Sequence, residues 1–239
     1  SSHRLITTAT HTGDGQFGPA TGRRFTVRVI ADCAARNDTI FDEWLVRDYG
    51  GIVRQLGFEP RAYAADLIAR EGGAGSASPP FRPEADVEAR YRGTGNDNEW
   101  GTRYADIISR IMTADFAVIG HEYDRAVIGE YAGGQNALGR EAATRFWLGL
   151  RSAFPKADFA IHHRIGMDGD MLPPRASVRW SLDGTHTGWG AFGAPTGTKV
   201  HVMGISHAEF GPWGLRREYS LYDEVAIWKQ ILMQTETPS

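Results

Sequence analysis

The sequence predicts an α+β fold in which helices pack on one face of a curved antiparallel sheet. Two observations indicate this class. Residues 99–154 contain segments with apolar residues at helical spacing, whereas the segments after them alternate apolar and polar residues as strands do. A block of helices followed by a block of strands is typical of helices collected on one side of an antiparallel sheet. We therefore expect three helices and then a sheet in this half of the chain.

The chain also carries one phrase twice, which predicts an internal repeat. Residues 10–22 read THTGDGQFGPATG, and residues 185–197 read THTGWGAFGAPTG. A comparison without gaps of residues 2–56 with residues 177–231 gives 17 identical pairs among 55. Glycines and polar residues match as well as apolar ones, and amphipathic periodicity alone would not produce that. We interpret residues 1–57 and 176–232 as two copies of one unit.

Each copy reads as a meander of three antiparallel strands. In the first copy the strand segments include RRFTVRVIADCAA and TIFDEWLV, joined by the turn RND. In the second copy they are RASVRWSLDGT, TKVHVMGISHAEF and LRREYSLY, joined by GWGAFGAPTG and GPWG. A short helix is expected to follow the last strand.

The segment before the second copy predicts three helices. The first has its apolar residues at i, i+3 and i+4 spacing, at Tyr104, Ile107, Ile108, Ile111, Met112 and Phe116. A second helix is expected over residues 117–123, and HEYDRAVIGEY is assigned to the helical side. The third helix ends before Pro155.

These segments predict two domains. Residues 1–57 are expected to be the C-terminal, sheet half of a first domain, residues 58–98 a Gly/Ser/Pro-rich linker, and residues 99–239 a complete second domain. We expect either a further segment of about 100 residues or a second copy of the chain to complete the first domain. The two sheets are expected to face each other within one chain or in a homodimer.

Composition excludes several classes of function. The net charge is −3 and no long basic run occurs, so nucleic acid is not an expected partner. No stretch approaches 18 apolar residues and no signal-peptide core is visible, so we expect no membrane span and a cytoplasmic location. Cys33 is the only cysteine, and we expect a small buried hydrophobe there.

The repeated phrase GTHTG…GAPTGTKVHVMGI, the ending Glu-x-x-x-x-Asp…Gln and the segment EWLVRDYGGIVRQLG together resemble the SnoaL-like polyketide cyclases. These belong to the nuclear transport factor 2-like superfamily. The resemblance implies tandem cone-shaped α+β barrels, each with a ligand pocket between sheet and helices. It does not determine the reaction, because the superfamily hosts isomerases, dehydratases, aldol cyclases, epoxide hydrolases and non-catalytic members.

The resemblance points to His207 as an acid/base, because cyclases of this family place an active-site histidine there. His207 shares one strand face with Met203 and Ile205, which we expect to line the pocket. The first copy has Asp32 at that position, so the two halves are not expected to have the same function.

A carboxylate partner is expected at Glu218 or Glu130. The cyclases often read His-Trp-Asp where this chain reads Glu218-Tyr219-Ser220, so their catalytic Asp is absent, which argues against an ordinary aldol cyclase. Glu218 could supply the carboxylate or form an ion pair with a neighbouring arginine. The ketosteroid isomerase pattern places Glu130 near that enzyme's general base and Tyr123 near the pocket floor, where Tyr123 would donate to oxyanion charge.

Aromatic residues supply candidate substrate contacts, with core packing as the alternative for each. The expected contacts are Trp180, Trp147, Phe146, Phe192 and also His186. Asp48 and Asp223 recur in both copies and are expected to cap the turn after the last strand.

No metal-ligand or phosphate-binding motif is present, so we expect no metal and no cofactor. Two functions remain open. One is a cofactor-independent lyase, dehydratase or isomerase acting on a hydrophobic aromatic or polycyclic molecule. The other is a non-catalytic small-molecule-binding or dimerisation module of the same fold.

Overall fold

The computed structural model describes residues 1–87 and 90–235, so the last four residues of the predicted second domain and two of the predicted linker lie outside it. The strands assigned there are β1 (Ser2–Thr10), β2 (Arg24–Arg36), β3 (Thr39–Arg47), β4 (Tyr123–Tyr131), β5 (Gln135–Leu138), β6 (Asp158–Gly169), β7 (Leu172–Thr185), β8 (Lys199–Gly211) and β9 (Gly214–Tyr222). The α-helices are α1 (Tyr49–Leu56), α2 (Pro60–Arg70), α3 (Glu99–Met112), α4 (Ala117–Glu122), α5 (Arg140–Ala153) and α6 (Glu224–Thr235).

A six-stranded sheet forms the larger unit, in the order β5-β4-β9-β8-β7-β6. Its neighbouring strands are antiparallel, except that β4 runs parallel to β9. The predicted α+β class is therefore confirmed, with helices and a curved sheet in one core. The core centre is aromatic, and its largest fully buried side chains include Trp147, Trp180, Tyr104, Tyr123 and Tyr131.

Helix α3 covers the inner face of this sheet because its sequence is amphipathic. Its buried residues are those at the predicted helical spacing, among them Tyr104, Ile107, Ile108 and Ile111. Asn98 begins the helix, since its side chain accepts a hydrogen bond from the Trp100 amide. Helix α5 packs beside it and contributes Phe146 and Trp147 to the same core.

The assignment of HEYDRAVIGEY to the helical side is wrong beyond Glu122. Helix α4 ends there, and the next nine residues form β4, which pairs with β9 and β5. Val127, Gly129 and Tyr131 are buried while Ile128 is exposed. This alternation with period 2 is the signal of a half-buried strand, and it is present in the sequence.

A smaller, three-stranded sheet has the order β1-β2-β3 and is followed by α1. Strands β2 and β3 begin and end 175 residues before β8 and β9, respectively, and α1 precedes α6 by the same interval at its start. Both connections between the first two strands also contain one isolated bridge, Gly15 with Gly18 and Gly190 with Gly193. The two units therefore share strand order and turns, and their second and third strands match in length, whereas β7 is longer than β1. Their origin by duplication stays a prediction.

The outer faces of the two sheets pack together with approximate two-fold symmetry. The Arg179 guanidinium lies 4.6 Å from the centre of the Trp44 ring, and the Arg4 guanidinium lies 3.3 Å from the centre of the Tyr219 ring. The 175-residue shift converts the residues of one contact into those of the other, as expected for a self-complementary interface. Apolar residues from both sheets fill the centre: Ile30, Val46, Ile205, Tyr219 and Leu221.

The segment predicted as a linker contains α2 and packs on both units. Helix α2 lies against α6, and Lys229 donates to Glu71 at 2.7 Å. Phe81 lies between Trp44 of one sheet and His201 of the other. Within the described residues, no helix is long and apolar enough to cross a lipid bilayer.

Candidate active site

Glu218 lies at the centre of the larger unit and is completely buried. Side chains alternate along β9, so Glu218, Ser220 and Tyr222 face the helices, while Tyr219 and Leu221 face the smaller sheet. The strand therefore carries a carboxyl group into an aromatic core. Such a group is costly to bury without hydrogen-bond partners.

Four side-chain donors surround the Glu218 carboxyl group. Tyr104 Oη donates to Oε1 at 2.9 Å and Tyr123 Oη donates to the same oxygen at 2.8 Å. Tyr131 Oη donates to Oε2 at 2.7 Å, and Trp147 Nε1 donates to Oε2 at 3.1 Å. We refer to these four donors as the Glu218 cage. Helices α3 and α5 and strand β4 each supply part of it.

Burial sets the protonation behaviour of the cage. Desolvation raises the pKa of Glu218 above its ordinary value, and the hydrogen bonds of Tyr131, Tyr123, Trp147 and Tyr104 oppose that rise without cancelling it. Burial and the Glu218 charge also raise the pKa of each caging tyrosine, so the phenols remain neutral donors. The site thus combines a weakened carboxylic acid with fixed O–H donors, a combination found in acid/base catalysis.

A chain of hydroxyl groups lies beside the cage on the same sheet face. Ser206 Oγ and Ser220 Oγ are 2.7 Å apart, and Trp180 Nε1 donates to Ser206 Oγ at 2.9 Å. Both serines are completely buried. Ser220 therefore presents no carboxyl group on this face and is part of a neutral hydroxyl pair.

The predicted aromatic contacts all lie in this core. Phe146 stacks on Tyr131 with ring centres 4.0 Å apart, and Trp147 packs against Trp180. Phe192 lies further away, against Phe154. All of these predicted contacts are buried, so their role in substrate binding stays a prediction.

The prediction that His207, Met203 and Ile205 lie in the pocket between the sheet and the helices is wrong. His207 pairs with Tyr219 and Ala208 pairs with Glu218, so His207 and Glu218 lie on opposite faces of the sheet. His207 Nε2 shares a hydrogen bond with Ser2 Oγ at 2.7 Å, between the two sheets. Burial lowers the pKa of His207 to about 4, so the ring is neutral at pH 7.

The prediction that Glu130 lies at the general-base position of the pocket is also wrong. Gly129 pairs with Glu218 across β4 and β9, so Glu130 faces the other side with Tyr219. There its carboxylate lies 3.5 Å from Arg28 Nε of the smaller unit. Tyr123, in contrast, is in the core as predicted, where it donates to Glu218.

His186 is fully buried at the end of β7. Its Nδ1 lies 3.0 Å from Thr196 Oγ1, and within the described residues its Nε2 has no hydrogen-bond partner. Burial lowers the pKa of His186, so the ring is held neutral. His11 has the equivalent contact with Thr21, which indicates a common structural role in the two glycine-rich connections.

Sequence reasoning missed Tyr104, Tyr131 and Ser206 as site residues. Tyr104 was assigned to the buried face of its helix, but a helical pattern does not show what its hydroxyl meets. Tyr131 could have been found from the alternation in β4. Among the described residues, no cluster of His, Cys, Asp or Glu is arranged to hold a metal ion.

Five cavities are associated with the two sheets and their connections, and Glu218 borders none of them. The largest has a volume of about 640 Å³ and is lined by both units, including His207, Ser177 and Glu43. A second, of about 280 Å³, is lined by Asp223, Phe81 and His201.

The family model for SnoaL-like polyketide cyclases matches residues 101–231, more than half of the chain and the whole Glu218 cage. The chain belongs to the SnoaL-like polyketide cyclase family. No curated protein matches the chain.

Solved structures from several bacteria are similar to this SnoaL-like chain. A protein assigned as a SnoaL-like polyketide cyclase from Jannaschia sp. CCS1 is 17% identical, with a TM-score of 0.49, and the match covers 60% of this chain and 99% of that one. IdmH from Streptomyces antibioticus, assigned as a polyketide cyclase, is 14% identical, with a TM-score of 0.46 and coverage of 56% and 99%.

Proposed function

We propose that this SnoaL-like protein is a cofactor-independent acid/base lyase, dehydratase or isomerase, with Glu218 as the proton carrier. The observation that carries the proposal is the Glu218 cage, a buried carboxyl group of raised pKa surrounded by neutral tyrosine donors. A carboxyl group whose pKa moves toward neutrality can both accept and return a proton.

The first chemical step that fits this site is proton abstraction next to a carbonyl group. The C–H bond breaks, its electron pair moves into the enolate, and the proton passes to a Glu218 oxygen. A tyrosine hydroxyl released from Glu218, for which we propose Tyr123, then donates to the enolate oxygen. Return of the proton to another carbon gives an isomer, and its transfer to a departing hydroxyl group releases water, as in a lyase or dehydratase.

The walls of the site favour a hydrophobic aromatic or polycyclic substrate. Phe146, Trp147 and Trp180 present ring surfaces around the carboxyl group, and such rings bind flat apolar molecules well. Because Glu218 is completely buried, we propose that a substrate reaches it when the helices over the sheet move apart. Helix α5 is the candidate for this motion, since it carries Phe146 and Trp147.

A second candidate function is a non-catalytic binding or assembly module. The observation that favours it is the filled interior, in which the caging tyrosines and Trp147 are completely buried. In that case the hydrogen bonds of the cage would select one arrangement of the core side chains, and the protein would convert no substrate.

Proton exchange distinguishes the two functions without requiring the final product. We would incubate the protein in D₂O with a panel of hydroxylated aromatic and polycyclic ketones and follow deuterium uptake by mass spectrometry. Enzyme function predicts uptake that is lost in Glu218→Gln and kept in Glu43→Gln. Identification of any small molecule that is co-purified would name the substrate class. Binding without exchange, unaffected by Glu218→Gln, would support the module instead.

A further inference from the structure

Asp48 holds the tip of a hairpin that comes from the other unit. Asp48 begins α1, and its Oδ1 accepts a hydrogen bond from the Gly51 amide at 2.9 Å. The same carboxylate accepts from the amide of Gly133 at 2.7 Å and from that of Gly134 at 2.8 Å. These glycines form the turn between β4 and β5, with φ angles of +80° and +72°, which favour glycine.

Asp223 is the counterpart of Asp48, 175 residues later. Among the described residues, no glycine turn of a hairpin donates to its carboxylate. Asp223 begins α6, where its Oδ1 accepts from the Ala226 amide at 3.0 Å, as Asp48 does from Gly51. A cavity of about 280 Å³ lies against its side chain, lined also by Leu45, Arg47 and Phe81. The approximate two-fold axis relates this cavity to the place that Gly133 and Gly134 occupy at Asp48.

Within the described residues, no strand pairs with the sheet edge that would guide such a tip. Strand β4 runs parallel to β9, with Tyr131 opposite Ser220, and thereby brings the glycine turn to Asp48. Strand β3 is the counterpart of β9, and it is an edge strand of the smaller sheet in the described part of the chain. An open edge presents unpaired backbone groups that can bind a further strand.

The inner face of the smaller sheet is the third open feature. Glu43 corresponds to Glu218, and its side chain is exposed, with Cys33 Sγ at 3.4 Å. Leu5 corresponds to the completely buried Trp180, yet it is 52% exposed. The helices α3 and α5 cover this face in the larger unit, and among the residues that the structure describes no helix of that kind covers it here.

We propose that the edge of β3 and the cavity at Asp223 form a docking site for a polypeptide strand that ends in a glycine-rich turn. The occupant is a segment of the same kind as β4 and its turn, from a further SnoaL-like helical half that covers the inner face of the smaller sheet. Its strand pairs parallel to β3 with one residue opposite Leu45. Its two turn amides donate to Asp223, as those of Gly133 and Gly134 donate to Asp48.

A synthetic peptide with the sequence of residues 124–138, which span β4, the turn and β5, tests this docking site. The peptide carries a fluorophore, and its binding to the full chain is followed by fluorescence anisotropy. We expect saturable binding with a Kd below about 1 mM. At pH 8, where Asp223 is ionised because its pKa is about 7, we expect Asp223→Asn to weaken binding about tenfold or more, because loss of the charge weakens two charge-assisted hydrogen bonds. Phe81→Ala, which removes a ring that lines the cavity, should strengthen it.

The matched control peptide carries N-methylglycine at both turn glycines. This change removes the two N–H donors and keeps the flexible backbone, so we expect binding to the unaltered chain to fall by about the same factor as in Asp223→Asn. Equal binding of the two peptides would overturn the proposal, as would the absence of saturable binding. Self-association of the chain that is lost in Asp223→Asn would assign the site to a second copy and overturn the occupant named here.

Discussion

Glu218 and Glu43 occupy equivalent positions in β9 and β3, yet only Glu218 is enclosed. Glu218 accepts hydrogen bonds from three tyrosines and a tryptophan, all contributed by residues 104–147. Glu43 is exposed, and it accepts a hydrogen bond from the Cys33 thiol at 3.4 Å. The same residue type at equivalent strand positions is therefore buried in one unit and exposed in the other. Glu43 can serve as the matched control for experiments on Glu218.

Substitution of Glu218 tests the proposed chemistry most directly. Glu218→Gln keeps the side-chain shape and removes the proton carrier, so we expect turnover to fall by about 10²- to 10⁴-fold. Steady-state rates on a substrate found by deuterium exchange would measure this. Glu43→Gln is the control and should leave the rate unchanged. Equal rates for the two variants would contradict a catalytic role for Glu218.

Removal of one cage hydroxyl should lower stability more than removal of an ordinary one. Tyr131→Phe keeps the stacking on Phe146 and deletes a buried donor to a carboxyl group, at a cost of about 1–3 kcal/mol in the free energy of unfolding. Tyr63→Phe is the control, because its hydroxyl donates to the Gln16 carbonyl in a partly buried site. Urea unfolding monitored by tryptophan fluorescence gives both values, and a smaller loss for Tyr131→Phe would argue against the cage.

His207 should make the contact between the units sensitive to acid. Its pKa is lowered from 6.5 to about 4, chiefly by burial, so its neutral form is favoured in the folded state. The resulting stabilisation is present above pH 6.5 and is lost as the pH falls toward 4. His207→Gln should flatten the dependence of the melting temperature on pH in this window. An unchanged pH profile would show that His207 is not the group responsible.

Asp223 should respond to pH in the opposite sense. Burial raises its pKa from 3.8 to about 7, so the protonated form is favoured in the folded state. Its contribution is present below pH 3.8 and is lost as the pH rises toward 7. Asp223→Asn retains a good helix N-cap and removes the titration, so the variant should gain relative stability as the pH rises. A constant difference between the two proteins across this range would disprove the assignment.

Asp32 holds a buried ion cluster between the two units. Its carboxylate accepts from Arg179 Nε at 3.0 Å and contacts His163 Nδ1, and Tyr91 Oη lies 3.1 Å from His163 Nε2. Burial raises the pKa of Asp32, but His163 and Arg179 outweigh that effect and lower it. Asp32→Ala leaves the Arg179 charge buried without its partner and should cost about 3–5 kcal/mol. Chemical unfolding measures the loss, and a cost below 1 kcal/mol, the level of an exposed pair, would mean that the cluster is solvated.

Patterns along the chain were enough to predict the α+β class and most helices and strands, whereas the internal duplication stays a prediction. Helical spacing identified the buried face of α3, and alternation with the shared phrase identified β7, β8 and β9, because these patterns depend only on neighbours along the chain. The same local signals were enough to place Glu218 and Ser220 on one strand face. The alternation in β4 was present too, but it was assigned to a helix.

Only the tertiary structure decided which sheet face met which partner. His207 and Glu218 both lie in strands whose alternation of side chains was predicted correctly. This alternation does not say which face of a strand packs against the helices and which packs against the smaller sheet. Register across β8 and β9 separated the two residues, and packing of α3 and β4 brought Tyr104 and Tyr131 to Glu218. These contacts join residues far apart in sequence, and their partners are selected by the burial of whole surfaces rather than by any local pattern.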